Sequence, residues 1–223
     1  TLTDGLEDRA RLLQAYGSGS TAAGDIRFAG QLGSDPTLLG SFDRGVLWLS
    51  ASGEVAAASG DTGGWAGGAE VRQLQARVRA GHAPVAAGLT GNGGPAFALL
   101  AVPAPEGGTL IGGFTPASLG IDHLLDDLQL GERGSGFIVD ASRVVLYARG
   151  SSAGTAQQAD GAAILPGITR AEAGESGALF SGSGFDLFAV GYAPVPTAGW
   201  SVLVRESWAD AVGPMARFSV LTP

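Results

Sequence analysis

The sequence contains no cysteine and no lysine, one methionine (Met215) and two histidines, His82 and His123. Without thiols there is no disulfide, no thiol nucleophile and no cysteine-ligated zinc. Positive charge comes from arginine alone, and 13 arginines against 21 acidic residues leave a net charge of −8. An acidic chain with scattered arginines lacks the electrostatic footprint of a nucleic-acid binder and a basic face for anionic lipid. No apolar run approaches the roughly 20 residues of a transmembrane helix, and no signal peptide is visible. A chain that begins at Thr1 is expected to be a segment of something longer, its ends adjoining membrane spans. No cofactor and no metal are expected.

What is present is a globular composition, 45% hydrophobic and 15% charged, with 38 glycines that imply many turns. The 223 residues suffice for two small domains, and the sequence repeats itself once. Residues 47–58 read LWLSASGEVAAA and residues 137–148 read FIVDASRVVLYA. Residues 102–108 (VPAPEGG) and 193–199 (APVPTAG) share Pro-x-Pro-x-x-Gly between apolar runs. An offset of about 90 residues is too long for a solenoid and points to two related modules in tandem.

Asp4 and Glu7 read as a capping box, predicting a helix to about residue 16 with Leu6, Ala10 and Leu13 on one face and a break at 17–20. A second helix is expected over 21–32, and Asp35-Pro36 caps a short one. Strands are expected at 46–50, 54–59, 85–89, 96–102 and 109–114, with a helix at 69–80 that turns Val71, Leu74 and Val78 inward. Thr115-Pro116 is expected to open a helix to about residue 130, with Ile121, Leu124, Leu125 and Leu128 as its stripe. The second module follows with strands at 136–140 and 144–148, an apolar segment at 164–168, and strands at 177–181, 187–194 and 200–205. Ser207 and Asp210 cap a final helix. The fold class is α+β: a long N-terminal helix and two PAS-like modules, each a roughly five-stranded antiparallel sheet flanked by helices. The expected divisions are a helical spine (1–34), a first module (35–118), an inter-module helix (119–132), a second module (133–205) and a C-terminal helix (206–223).

Three stretches carry a resemblance to a known family: GLTGNGGP at 88–95 with the strand that follows, LGERGSGFIVDASRVVLYARG at 130–150, and GESGALF through VGYAPVPTAGWSVLVRES at 174–207. They resemble the double Cache (dCache) domains that serve as extracytoplasmic sensors of bacterial receptors. The resemblance implies a ligand-sensing domain on the periplasmic or extracellular side of the cell membrane, in a homodimeric receptor. A two-component sensor histidine kinase is the expected parent; a chemoreceptor or diguanylate cyclase is the alternative. The first module is membrane-distal and takes a small molecule; the second is membrane-proximal and leads to a membrane span. Candidate ligand contacts in the distal module are Trp65, Arg72, Arg77, Thr90, Phe97, Phe114 and Thr115. Amino-acid-binding members use a Trp-Tyr pair, an Arg and a terminal Asp. Here Ala66 follows Trp65 and Thr115 stands where the Asp is expected, which favours a carboxylate or a neutral compound.

Each candidate has a plainer alternative. Trp65 is equally a ligand lid or a staple of loop to core. Arg72, Arg77 and Arg79 read first as a solvent-facing row. Tyr147, Phe188 and Tyr192 form a possible second pocket, with Phe180 and Trp200 beside them, and are more simply core. His123, Asp126 and Asp127 share a helical face that reads as solvated surface rather than a metal site. Ser152 in Gly-Ser-Ser-Ala-Gly matches a nucleophile elbow, but both histidines precede it and a hydrolase needs one after it. The rival readings are a structural spacer and, remotely, a serine hydrolase; the small residues at 56–58, 86–88 and 112–113 are expected to leave space for a ligand.

Overall fold

The computed structural model describes residues 1–19, 32, 34–81, 84–89, 96–123, 134–150, 161–183 and 186–210. Most of the helix expected over 21–32, Thr90 with the turn after it, Asp126 and Asp127, Ser152, and the last helix beyond Asp210 lie outside these residues. The chain divides into two units, Thr1–Ile121 and Asp122–Pro223.

The first unit opens with α1 (Leu2–Gly19), whose Leu6, Ala10 and Leu13 are buried. Its cap lies one turn earlier than expected. Thr1 Oγ1 accepts from the Asp4 backbone N–H at 3.3 Å and donates to the Asp4 carboxylate at 2.7 Å, so Asp4 sits inside the first turn rather than ahead of it. The expected break at residue 17 is absent. Gly17 lies against the Pro103 carbonyl, which a Cβ would meet at 3.4 Å, so this glycine serves close approach rather than interruption. The short α2 (Pro36–Ser41) starts as expected: the Asp35 carboxylate accepts from Thr37 N–H at 2.8 Å and Leu38 N–H at 3.1 Å.

Five strands then form one antiparallel sheet: β1 (Val46–Leu49), β2 (Val55–Ser59), β3 (Val85–Leu89), β4 (Phe97–Pro103) and β5 (Thr109–Phe114), in the order β2-β1-β5-β4-β3. Between β2 and β3 runs α3 (Ala69–Arg79), which buries Val71, Leu74, Gln75 and Val78. Gln75 Nε2 donates to the Ser50 carbonyl at 2.8 Å, and Arg79 donates to the Ala51 carbonyl, so both moor α3 to the β1–β2 turn. α3 covers one face of the sheet and α1 the other, which is why β1, β4 and β5 are apolar on both faces. After β5 the chain makes a 3-10 turn (Pro116–Leu119) that ends at Gly120 with φ of 73°, instead of opening directly into the expected helix.

The second unit repeats the plan: β6 (Ser135–Val139), β7 (Val145–Gly150), β8 (Gly177–Ser181), β9 (Phe188–Val195) and β10 (Trp200–Ser207) in the order β7-β6-β10-β9-β8. The apolar segment expected at 164–168 is the middle of a helix, α4 (Gly161–Glu172), packed on β9 and β10. Equivalent hairpins carry the same irregularity, between Trp48 and Leu49 in one and between Ile138 and Val139 in the other. The registers correspond too: Pro103 pairs with Thr109, and Pro194 with Ser201. The 90-residue repeat in the sequence is thus a repeat of fold. Among the described residues no helix is long and apolar enough to cross a membrane.

Candidate functional site

Alternation along the strands decides which side chains can share a pocket. On the α3 face of the first sheet, Leu47, Leu49, Phe97, Leu99 and Ile111 pack with Trp65 and the apolar stripe of α3. Phe114 belongs to the other face. Its ring meets Phe42 edge-on at 6.1 Å, and the Arg9 guanidinium stands 4.9 Å above it. Of the expected ligand contacts, the fold therefore brings Trp65 and Phe97 together, with ring centroids 6.5 Å apart, and sets Phe114 apart from them.

Trp65 sits in the Gly-rich loop ahead of α3 and is 5% exposed. Its indole N–H is shared between the carbonyls of Arg44 and Asp61, both at 3.0 Å. Thr115 is committed elsewhere: its N–H and hydroxyl donate to the two Asp43 oxygens at 2.8 and 2.7 Å. Arg72 and Arg77 are exposed. Arg72 donates to the Gly67 carbonyl at 3.0 Å, closing the loop onto α3, and Arg77 reaches the Ala86 carbonyl on β3 at 3.5 Å. The small residues at 112–113 do not leave the expected space. A Cβ at Gly112 would collide with the Phe42 ring, and one at Gly113 would lie 3.0 Å from Arg44 Cβ and 3.1 Å from Trp65 Cζ2.

The residue that sequence reasoning missed is Arg44. Its carbonyl holds the Trp65 indole, its Cβ packs on Gly113, and its guanidinium lies 5.6 Å from the Phe97 ring centroid. The side chain keeps 29% of its surface exposed, and its ion pair with Asp61 is long, at 3.5 Å. An exposed pair of this kind contributes about 0–1 kcal/mol. Arg44, Asp61, Trp65 and Phe97 thus set a partly exposed guanidinium over an aromatic wall. A guanidinium so placed can bind a carboxylate through two parallel N–H groups. The available signal was Asp43-Arg44, a charged pair separated by Gly45 alone from a strand that is apolar throughout.

On the α1 face, a cleft of about 490 Å³ lies around Arg9, lined also by Asp8, Leu12, Ser41 and Ser118. Arg9 is engaged there as a structural tie. Nε donates to the Ser41 carbonyl at 2.9 Å, and Nη2 donates to the Ser118 carbonyl and hydroxyl at 3.1 and 3.0 Å.

In the second unit, Phe188 and Tyr192 share the α4 face while Tyr147 projects from the opposite one, as its pairing with Ile138 requires. Tyr147 donates its hydroxyl to Asp122, and Arg149 donates to the Asp122 carboxylate and carbonyl at 3.0 Å each. Trp200 is a core residue at 1% exposure and Phe180 lies outside the core at 62%. The strand position equivalent to Gly113 is Arg205, 2% exposed, with its guanidinium 4.4 Å from the Phe188 ring centroid. Phe188 in turn corresponds to Phe97 by register. The first module fills this place with a loop tryptophan, the second with an arginine of the sheet itself.

No protein-family model matches the sequence, and no curated protein matches it as a relative. Solved structures do match in fold. The ligand-binding domain of the Pseudomonas aeruginosa amino acid chemoreceptor PctB, in complex with L-Gln, is 14% identical over 100% of this chain and 94% of its own, with a TM-score of 0.62. That of the Pseudomonas fluorescens chemoreceptor CtaA, in complex with L-alanine, is 16% identical over 94% of each chain, also at 0.62. The extracellular domain rpHK1S-Z16, assigned to a histidine kinase, is 15% identical over 94% of this chain and 90% of its own, at 0.59. With two five-stranded modules in the same order along nearly the whole length, this chain has the fold of a double-Cache extracellular sensor domain.

Proposed function

We propose that this chain is the ligand-sensing input domain of a membrane receptor, with the small-molecule site in its first module at Arg44, Trp65 and Phe97. The observation that carries this reading is the partly exposed Arg44 guanidinium laid over Phe97 beside a tryptophan borne on a loop. A loop can move to admit a ligand, whereas Arg205, the counterpart in the second module, is fixed in a strand. The ligand class is a small carboxylate, which includes amino acids, since the matched chemoreceptor domains hold L-Gln and L-alanine. Binding acts on the receptor only so far as it favours one conformation over another. The parent is a histidine kinase or a chemoreceptor, and the fold is common to both. This chain itself acts by binding and not by catalysis.

A thermal-shift screen of single amino acids and small mono- and dicarboxylates tests the proposal, with native mass spectrometry to detect a co-purified compound. At least one carboxylate is expected to raise the melting temperature, and Arg44→Ala to abolish the shift while Arg72→Ala preserves it. A shift that survives Arg44→Ala removes the site from this corner. A protein that no compound in the panel stabilises, and that carries none from the cell, supports the spacer reading instead.

A further inference from the structure

We infer that the free edge of β8 is a self-association surface, to which a second copy of this chain adds its own β8 as an antiparallel neighbour. β8 is the last strand of its sheet, so one row of its backbone N–H and C=O groups faces outward. Proteins blunt such edges with lysine, proline, bulges or a covering element. Among the described residues β8 shows none of these. Residues 176–183 read SGALFSGS, without charge or proline, and the pairing with β9 runs in unbroken register. Ala178 and Phe180 are exposed, and the Phe180 ring stands edge-on to Trp208 at 5.0 Å, itself 41% exposed.

The other sheet edges are treated differently. β3, the counterpart of β8, is largely buried, and Arg77 reaches the Ala86 carbonyl on it. β2 and β7 both lie beside a register irregularity, and Arg149 on β7 is tied to Asp122. A device present at three edges and missing at the fourth marks β8 as the edge left open for pairing.

Symmetry and charge select the occupant. Antiparallel pairing about Leu179 sets the strand against itself in a two-fold contact, the self-complementary arrangement of a closed dimer. Ala178 then faces Phe180 of the second copy, and Glu175 faces Ser183, so no like charges oppose one another although the chain carries −8. An uncharged edge on an acidic molecule matches its own copy and offers nothing to a basic partner. The bonds would be main-chain ones, as in strand addition generally. The contact is small, so the expected dissociation constant is on the order of 10–100 µM.

Sedimentation equilibrium of the intact chain, from about 10 µM to about 1 mM, tests this at the concentrations such a contact requires. A reversible monomer–dimer equilibrium is expected. Ala178→Lys and Phe180→Glu should each weaken it by about tenfold or more, since each sets a charge against an apolar side chain of the second copy and on an edge that pairs only while uncharged. Both sites are exposed, so the circular dichroism spectrum should not change in either variant, nor the melting temperature in Ala178→Lys. Val55→Lys, on the edge strand of the other sheet, should leave the dimer as it is. A chain that stays monomeric throughout overturns the inference, as does a dimer indifferent to both β8 variants or one equally sensitive to Val55→Lys.

Discussion

At the scale of single residues, three positions carry tension that substitution would expose. Gly112 is on the α1 face of β5 directly beneath Phe42, and any side chain there meets the ring. Gly112→Ala should therefore destabilise by about 1–3 kcal/mol, the usual cost of overpacking, and a chemical denaturation curve with unchanged slope would show it. Thr109 is fully buried on the α3 face, and its hydroxyl has no hydrogen-bond partner among the described residues. Thr109→Val keeps the shape and removes the unsatisfied group, so it should stabilise by about 1 kcal/mol; a loss of stability would mean that the hydroxyl is satisfied in solution. Tyr147 has its pKa pushed up to about 12, first by burial and then by the hydrogen bond to Asp122. A raised pKa leaves stability intact below pH 10, the ordinary tyrosine value, and erodes it between about 10 and 12 as the unfolded chain releases its proton first. Absorbance titration should show a late tyrosine phase that is absent in Tyr147→Phe; a late phase that survives the substitution, or no late phase at all, would refute it. None of these tensions is visible in the sequence, because each depends on which residue the fold brings alongside.

At the scale of elements, periodicity announced the strands and α3 within a residue or two, since alternation and the 3.6-residue stripe are properties of the chain itself. The differences have specific causes. α1 runs on through Gly17 because that glycine faces the Pro103 carbonyl, and proximity across 86 positions cannot be read from local composition. α4 escaped notice because Pro166 lies inside it, a residue that ordinarily argues against a helix. The turn after β5 tightens to a 3-10 segment because Gly120 adopts a left-handed conformation that ends it. Arg9 links these pieces, joining α1 to the end of α2 and to Ser118 in the turn that follows the sheet's last strand. Burial lowers its pKa and Asp43 opposes the shift, yet at neutral pH the guanidinium stays charged. Arg9→Met keeps the apolar stem and removes the ties, so it should cost about 1–3 kcal/mol. Hydrogen exchange should quicken in α1 and the 115–120 turn while α3 is unaffected. Uniform quickening across the first unit would show that Arg9 supports the core generally and does not tie these elements in particular.

At the scale of the molecule, the two cores are built separately: one draws on residues between Leu47 and Ile111, the other on residues between Phe137 and Leu203. The doubling was legible because both copies keep the same turn chemistry. The proposed site was legible only in part. Trp65 and Phe97 stood out by residue type, while Arg44 became visible only once Gly113 and the Trp65 loop had closed around it. The separate cores give the functional proposal a test that does not depend on the ligand's identity. A ligand at about 100 times its dissociation constant stabilises the state that binds it by about 2.7 kcal/mol. That energy enters directly in whichever unit holds the ligand, and the other unit receives only what coupling transmits. Hydrogen exchange with and without a carboxylate found by thermal shift should therefore show the largest gain in β1, α3, β4 and β5, with a smaller change in α4 and β8–β10. Protection concentrated in the second unit would move the site to the Phe188 and Tyr192 face. Arg205 would then be the guanidinium to mutate, and the loop tryptophan of the first module would be a staple and nothing more.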